Sequence, residues 1–154
     1  MALQILHAWQ PTELKKFKME DGYFYKIGLV DIKFDDDVRI TLENKDQILE
    51  IIYGKVNISH PLIGKVWNFC YGKADAFRFG LTDDKSKTVF PASLNKEFYY
   101  MYKVENSEFI KWQDSVSPFT SKDYPELEHH LFITDNDIIE TLSVFEPRFI
   151  IKDK

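Results

Sequence analysis

The stretch Val38-Arg39-Ile40-Thr41-Leu42-Glu43 alternates apolar and polar residues one by one. Successive side chains of a strand point to opposite faces, so this pattern predicts an antiparallel strand with one buried and one wet face. The preceding 23–34 segment is apolar on both faces for most of its length, which predicts a central strand. Between them, Asp35-Asp36-Asp37 reads as a solvated hairpin turn. Adjacent acids do not converge on one ion, and a calcium loop would need spaced ligands, a glycine and a distal Glu. Residues 47–53 are ambiguous. Ile48, Leu49, Ile51 and Ile52 fit a helical face, and Asn44 with Gln47 resembles a capping box. The β-branched content and the following Gly54 tip the reading towards a strand. Further strands are expected at 66–71, 76–81, 97–104 and 148–152.

Helical signals are few. Thr12 is placed to cap a short turn over 13–17. Ser107 is a good N-cap for 108–114, where Phe109, Ile110, Trp112 and Gln113 suit a short amphipathic helix. Glu108 and Trp112 would then share one side, four residues apart.

Residues 127–145 hold two apolar runs around the polar centre Thr134-Asp135-Asn136-Asp137. Thr134 with Asp137 fits a capping box, but Pro147 would limit a helix to about two turns. Ile138, Ile139, Thr141 and Val144 are β-branched, and Asp and Asn serve tight turns. The pattern favours a β-hairpin pairing Ile133 with Ile138, Leu131 with Glu140 and His129 with Leu142. Leu127, Ile133, Ile138, Leu142 and Val144 would then form a core face. His129 and Glu140 would meet diagonally on it, and His130 would point the other way.

With about nine strands and a turn signal every 8–12 residues or so, the expected class is α+β, mostly β: a twisted antiparallel sheet, a sandwich or an open barrel, with one or two short helices. The 154 residues carry no linker or composition break, so 1–154 is read as a single domain. Aromatic content of 16 % favours sheet and large contact surfaces. The net charge of −5 argues against a nucleic-acid partner, whose phosphates need a basic footprint. The basic run Lys15-Lys16-Phe17-Lys18 is followed at once by Glu20 and Asp21, as on a solvated charged face. No apolar run approaches a membrane span, the N-terminus lacks a signal-peptide pattern, and one cysteine cannot form an intramolecular disulfide. A cytoplasmic setting is the expectation. Phosphate-binding and dinucleotide glycine patterns are absent, as are nucleophile-elbow and zinc spacings, and neither cofactor nor metal is expected.

The last third loosely resembles a group of small uncharacterised bacterial proteins. The resemblance rests on Val104-Glu105-Asn106-Ser107-Glu108-Phe109, then His130-Leu131-Phe132-Ile133, Asn136-Asp137 and Ile139-Glu140-Thr141-Leu142-Ser143. It implies no enzymatic activity to carry over, and it points towards partner binding of the immunity type.

Two functional expectations follow. An acidic, aromatic-rich domain without catalytic motifs suits a basic protein partner, as a toxin-neutralising immunity protein would have. Tyr99, Glu105, Glu108 and Trp112 are its candidate contacts, on an aromatic strand and the short helix after it; the second face of the strand is either exposed or also buried. The alternative is a small enzyme or small-molecule binder with a pocket near His129, Glu140 and Cys70. There His129 held by Glu140 would be a general acid–base pair. Assembly with a second copy through the aromatic face is a third option.

Overall fold

A computed structural model describes residues 4–17, 27–34, 37–54, 65–70, 88–89, 101–116, 121–135, 137–144 and 146–154. Ten strands occur among them: β1 (Gln4–Ala8), β2 (Gly28–Phe34), β3 (Val38–Glu43), β4 (Gln47–Tyr53), β5 (Lys65–Cys70), β6 (Thr88–Val89), β7 (Met101–Glu105), β8 (Glu128–Ile133), β9 (Asp137–Ser143) and β10 (Arg148–Asp153). One α-helix, α1 (Glu108–Val116), follows β7. The first sheet runs β5-β9-β8-β7-β1-β6 and the second β10-β4-β3-β2. Pairing is antiparallel except for β1 with β6. The architecture is mostly β and sandwich-like, with one helix.

The second sheet follows the binary pattern closely. Val38, Ile40 and Leu42 are buried, while Arg39, Thr41 and Glu43 between them are partly exposed. On the outer face Arg39 and Lys152 both reach Glu50, at 3.3 and 3.1 Å. Residues 47–53 are a strand. The likeness of Asn44 and Gln47 to a capping box has a different meaning there. Asn44 Oδ1 accepts from the amides of Asp46 (3.0 Å) and Gln47 (2.7 Å), and its Nδ2 donates to Gln47 Oε1. The side chain thus mimics a turn backbone and closes the β3–β4 hairpin.

Two local expectations are corrected. The strand read as central, 23–34, is described as a strand from Gly28 onward and, among the described residues, lies at the end of its sheet, beside β3 alone. Its register slips at Val30, which is half exposed. A bulge at a sheet edge adds twist and spoils the edge as a template for further pairing. The uninterrupted apolar run hid this position. Thr12 opens a 3-10 turn (Thr12–Lys16) instead of capping it; Pro11 precedes the turn, and no side chain caps it. Proline's fixed φ suits a helix start. The strand expected at 76–81 lies outside the described residues.

The β8–β9 hairpin has the expected register, with Ile133 opposite Ile138, Leu131 opposite Glu140 and His129 opposite Leu142. Thr134 closes it. Its hydroxyl accepts from the Asp137 amide at 3.0 Å and donates to the Asp137 carbonyl at 2.9 Å, while fully buried. The turn also ties the sheets together, since the Asp135 amide donates to the Ile27 carbonyl at 2.8 Å.

β8 is buried on both faces from His129 to Ile133. On one face Phe132, with Met101 and Ile139, joins Trp9, Ile40, Leu42, Leu49, Ile51 and Tyr53 in the core between the sheets. The opposite face is covered by α1, where Phe109 packs with Leu127 and Leu142. The chain enters α1 through Asn106, which sits at φ 56°. Asn tolerates that left-handed conformation better than most residues. Three layers result: helix, first sheet, second sheet.

Thr134→Val keeps the shape of the β8–β9 turn but removes both hydroxyl bonds. It should cost about 1–3 kcal/mol in urea unfolding, because buried backbone groups lose their partners.

Candidate functional site

β8 and β9 place four polar side chains at the centre of the protein, two on each face of the sheet. On the α1 side, His129 Nε2 lies 3.0 Å from Glu140 Oε1, with side-chain exposures of 0 % and 1 %. The approach is off the N–H axis, so the contact is a short electrostatic one and not a linear hydrogen bond. The other ring nitrogen makes the better bond. His129 Nδ1 is 2.7 Å from Ser107 Oγ. That oxygen already accepts from the Ile110 amide at 3.0 Å, as an N-cap does. In the tautomer with its proton on Nε2, on the Glu140 side, Nδ1 accepts from the serine hydroxyl while Oγ accepts from the amide. Phe109 meets the His129 ring edge-on, centroids 5.3 Å apart. Gln4 Oε1 accepts from the Glu108 amide at 2.9 Å, so β1 supplies a second N-terminal partner for α1.

On the inter-sheet side, His130 Nδ1 is 2.6 Å from the Tyr53 hydroxyl, which is 2.7 Å from Thr141 Oγ1. His130 Nε2 faces Glu128 at 3.3 Å. A ring donating to that carboxylate accepts from Tyr53, and Thr141 then donates to Tyr53. Tyr53 comes from β4, so the chain of hydrogen bonds links the two sheets. Trp9 lies over the imidazole with centroids 4.3 Å apart, and Lys103 Nζ lies 5.1 Å from the indole centroid. Lys103 also bridges Glu128 at 3.1 Å and Glu146 at 2.5 Å, fastening the β9–β10 connection to the first sheet.

Burial sets the electrostatics on this side. Desolvation pushes the His130 pKa below its ordinary 6.5, against the pull of Glu128. The hydrogen bond with His130 lowers Glu128 from 4.5 to about 2, with burial opposing and Lys103 assisting. Desolvation holds the Tyr53 hydroxyl well above 10.0.

The expected surface residues lie elsewhere. Glu105 is exposed at the end of β7 and meets His7 at 3.1 Å; Glu108 is exposed at the start of α1, 3.5 Å from Lys111. Trp112 is 40 % exposed and Val116 58 %. Glu108, Trp112 and Val116 follow one another at i,i+4 along the outer face of α1. On β7 both Met101 and Tyr102 are buried, so the described part of the aromatic strand is covered on both faces. Tyr99 lies outside the described residues. Cys70 pairs in register with Asp137, three positions along β9 from Glu140. No group of three metal-ligating side chains occurs among the described residues.

The sequence places His129 beside Glu140, but Ser107 as the second partner of His129 and Tyr53 as the partner of His130 were missed. His130 opposite Thr141 was implicit in the hairpin register. Tyr53 comes from the other sheet, and Gln4, which bonds the Glu108 amide, from a strand distant in sequence, so no local pattern points to either.

The pH dependence follows from His130 and Glu128. Both folded pKa values lie below the unfolded ones, so both contributions are lost on acidification. The His130 contribution is complete above about 6.5 and declines as pH falls towards the lowered value. The Glu128 contribution declines between 4.5 and about 2. Thermal melts from neutral to acid pH should show two stages of loss, and His130→Gln should remove the upper one. Tyr53→Phe should cost about 1–3 kcal/mol at neutral pH, because His130 and Thr141 lose a shared buried partner. A single-stage acid profile unaltered by His130→Gln would contradict the assignment.

No family model, curated protein or solved structure matches this chain.

Proposed function

We propose that this protein binds a basic protein partner through the outer face of α1, in the manner of a toxin-neutralising immunity protein. The observation that carries the reading is the exposed stripe Glu108–Trp112–Val116 on a helix whose other face seals the sheet. Trp is the residue type most enriched in interface hot spots, and an aliphatic neighbour extends the apolar contact. Glu105 and Glu108 give the upper end of the stripe acidic character, and the chain carries a net charge of −5. Such a field steers a basic partner and accelerates its association.

The enzymatic alternative loses support. A general acid or base must come within hydrogen-bond reach of its substrate. His129 and Glu140 are sealed beneath α1 at 0 % and 1 % exposure. Their contacts fit a structural role for the pair.

The test is affinity capture from the host extract by wild type, Trp112→Ala, Glu108→Lys and, as a remote surface control, Ile150→Ala. A basic protein should be retained at about 0.05 M salt and released at about 0.5 M. Trp112→Ala should weaken its retention by about 2 kcal/mol or more. Glu108→Lys should slow association, and Ile150→Ala should have no effect. Capture that is indifferent to Trp112→Ala, or that selects acidic proteins, would refute the proposal.

A further inference from the structure

The helix carrying the exposed stripe is nine residues long, and helices of that length do not persist alone in water. Its placement therefore depends on what anchors it to the sheet. Ser107 Oγ does two things at once: it caps the Ile110 amide at 3.0 Å and bonds His129 Nδ1 at 2.7 Å. The cap is thereby keyed to a ring that is itself fixed between Phe109 and Glu140. We infer that His129 is a positioning residue for the partner-binding face: from within the sheet it holds Ser107, and through Ser107 it sets the first turn of α1 and the direction of Glu108 and Trp112. The functional meaning of this inference rests on the α1 reading above; its structural meaning does not.

The two ring nitrogens contribute unequally. The Ser107 bond is short and shared with the cap, whereas the Glu140 contact is off-axis. A ring that merely filled space, or that mattered chiefly to Glu140, would not make the helix sensitive to the Ser107 contact alone. Two substitutions separate these cases. In His129→Asn the amide oxygen takes the place of Nδ1 and still accepts from Ser107, while the reach to Glu140 is lost. In His129→Gln the amide nitrogen takes the place of Nε2 and still faces Glu140, while Ser107 loses its acceptor. Each leaves one buried group without its partner, so global stability alone does not tell them apart.

Amide hydrogen exchange does. His129→Gln should speed exchange across 108–116 about tenfold, the effect of one buried hydrogen bond. His129→Asn should stay within about threefold of wild type, and β3 and β4 amides should be unchanged in both. Ser107→Ala removes the same bond from the helix side and the Ile110 cap with it, so it should speed exchange across 108–116 at least as much as His129→Gln, and its failure to do so overturns the inference even if a His129 variant fails to fold. Equal exchange in the Asn and Gln variants, or α1 and the sheet accelerating together, overturns the inference. Capture of the basic partner should weaken about tenfold in His129→Gln and little in His129→Asn. If Trp112→Ala abolishes capture but His129→Gln leaves it unchanged, positioning is refuted and the partner surface stands. If Trp112→Ala has no effect on capture, the partner surface fails, and the exchange order still decides whether His129 holds α1.

Discussion

Two imidazoles sit back to back in a strand that is buried on both faces. This is the constraint on which the three-layer arrangement depends. A buried polar group without a partner costs roughly 1–3 kcal/mol, so His129 and His130 must each be satisfied from its own side of the sheet. Neighbouring residues of a strand cannot share a partner across the pleat. The helix layer answers one demand with Ser107, and the second sheet answers the other with Tyr53. The apolar clusters on the two faces supply most of the driving force. The histidine contacts fix which residue of each outer layer lies over which residue of β8.

The two sides solve the problem differently. His130 leads outward, through Glu128 and Lys103, to the surface, so its network has a solvated end. Its charge state is thereby linked to pH, with burial holding its pKa below 6.5. His129 leads nowhere; Ser107, Phe109 and Glu140 enclose it. A closed polar group of this kind is weak as a source of stability and useful as a source of register. In this protein the register it specifies is that of a short helix, the element least able to find its place by burial alone.

Much of the centre of both sheets was legible in the chain. The alternation of 38–43, the β-branched residues of 138–144 and the Ser107 cap each combine a local signal with a local consequence. The hairpin register followed from the turn, and with it the meeting of His129 and Glu140. What escaped the sequence was everything fixed by neighbours from afar. An apolar run cannot tell a central strand from an edge strand with a bulge, because both β2 faces read alike until the missing neighbour is known. Capping-box chemistry at Asn44–Gln47 and Thr134–Asp137 closes hairpins here. The same side-chain-to-amide bond serves a helix start and a tight turn equally well, and strand pairing on either side decides between them. The functional surface was only half legible. Glu108 and Trp112 were visible as a helical pair, whereas Val116 lay beyond the expected end of the helix.

The contiguity of that surface separates it from ordinary apolar exposure. Four large apolar side chains are exposed among the described residues: Val30, Trp112, Val116 and Ile150. Scattered single residues of this kind are normal on any protein. Val30 and Ile150 lie on β2 and β10, the two ends of the second sheet, with β3 and β4 between them, so they cannot merge into one patch. Trp112 and Val116 are one helical turn apart on one face, where two exposures become one contact area. The residues on the other side of the same helix, Phe109 and Gln113, are buried. The Trp112 indole meets the Phe109 ring, with centroids 6.1 Å apart, and the residue is still 40 % exposed. A stripe that begins in a carboxylate, passes through a partly exposed indole and ends in an aliphatic side chain is suited to a basic, partly apolar partner.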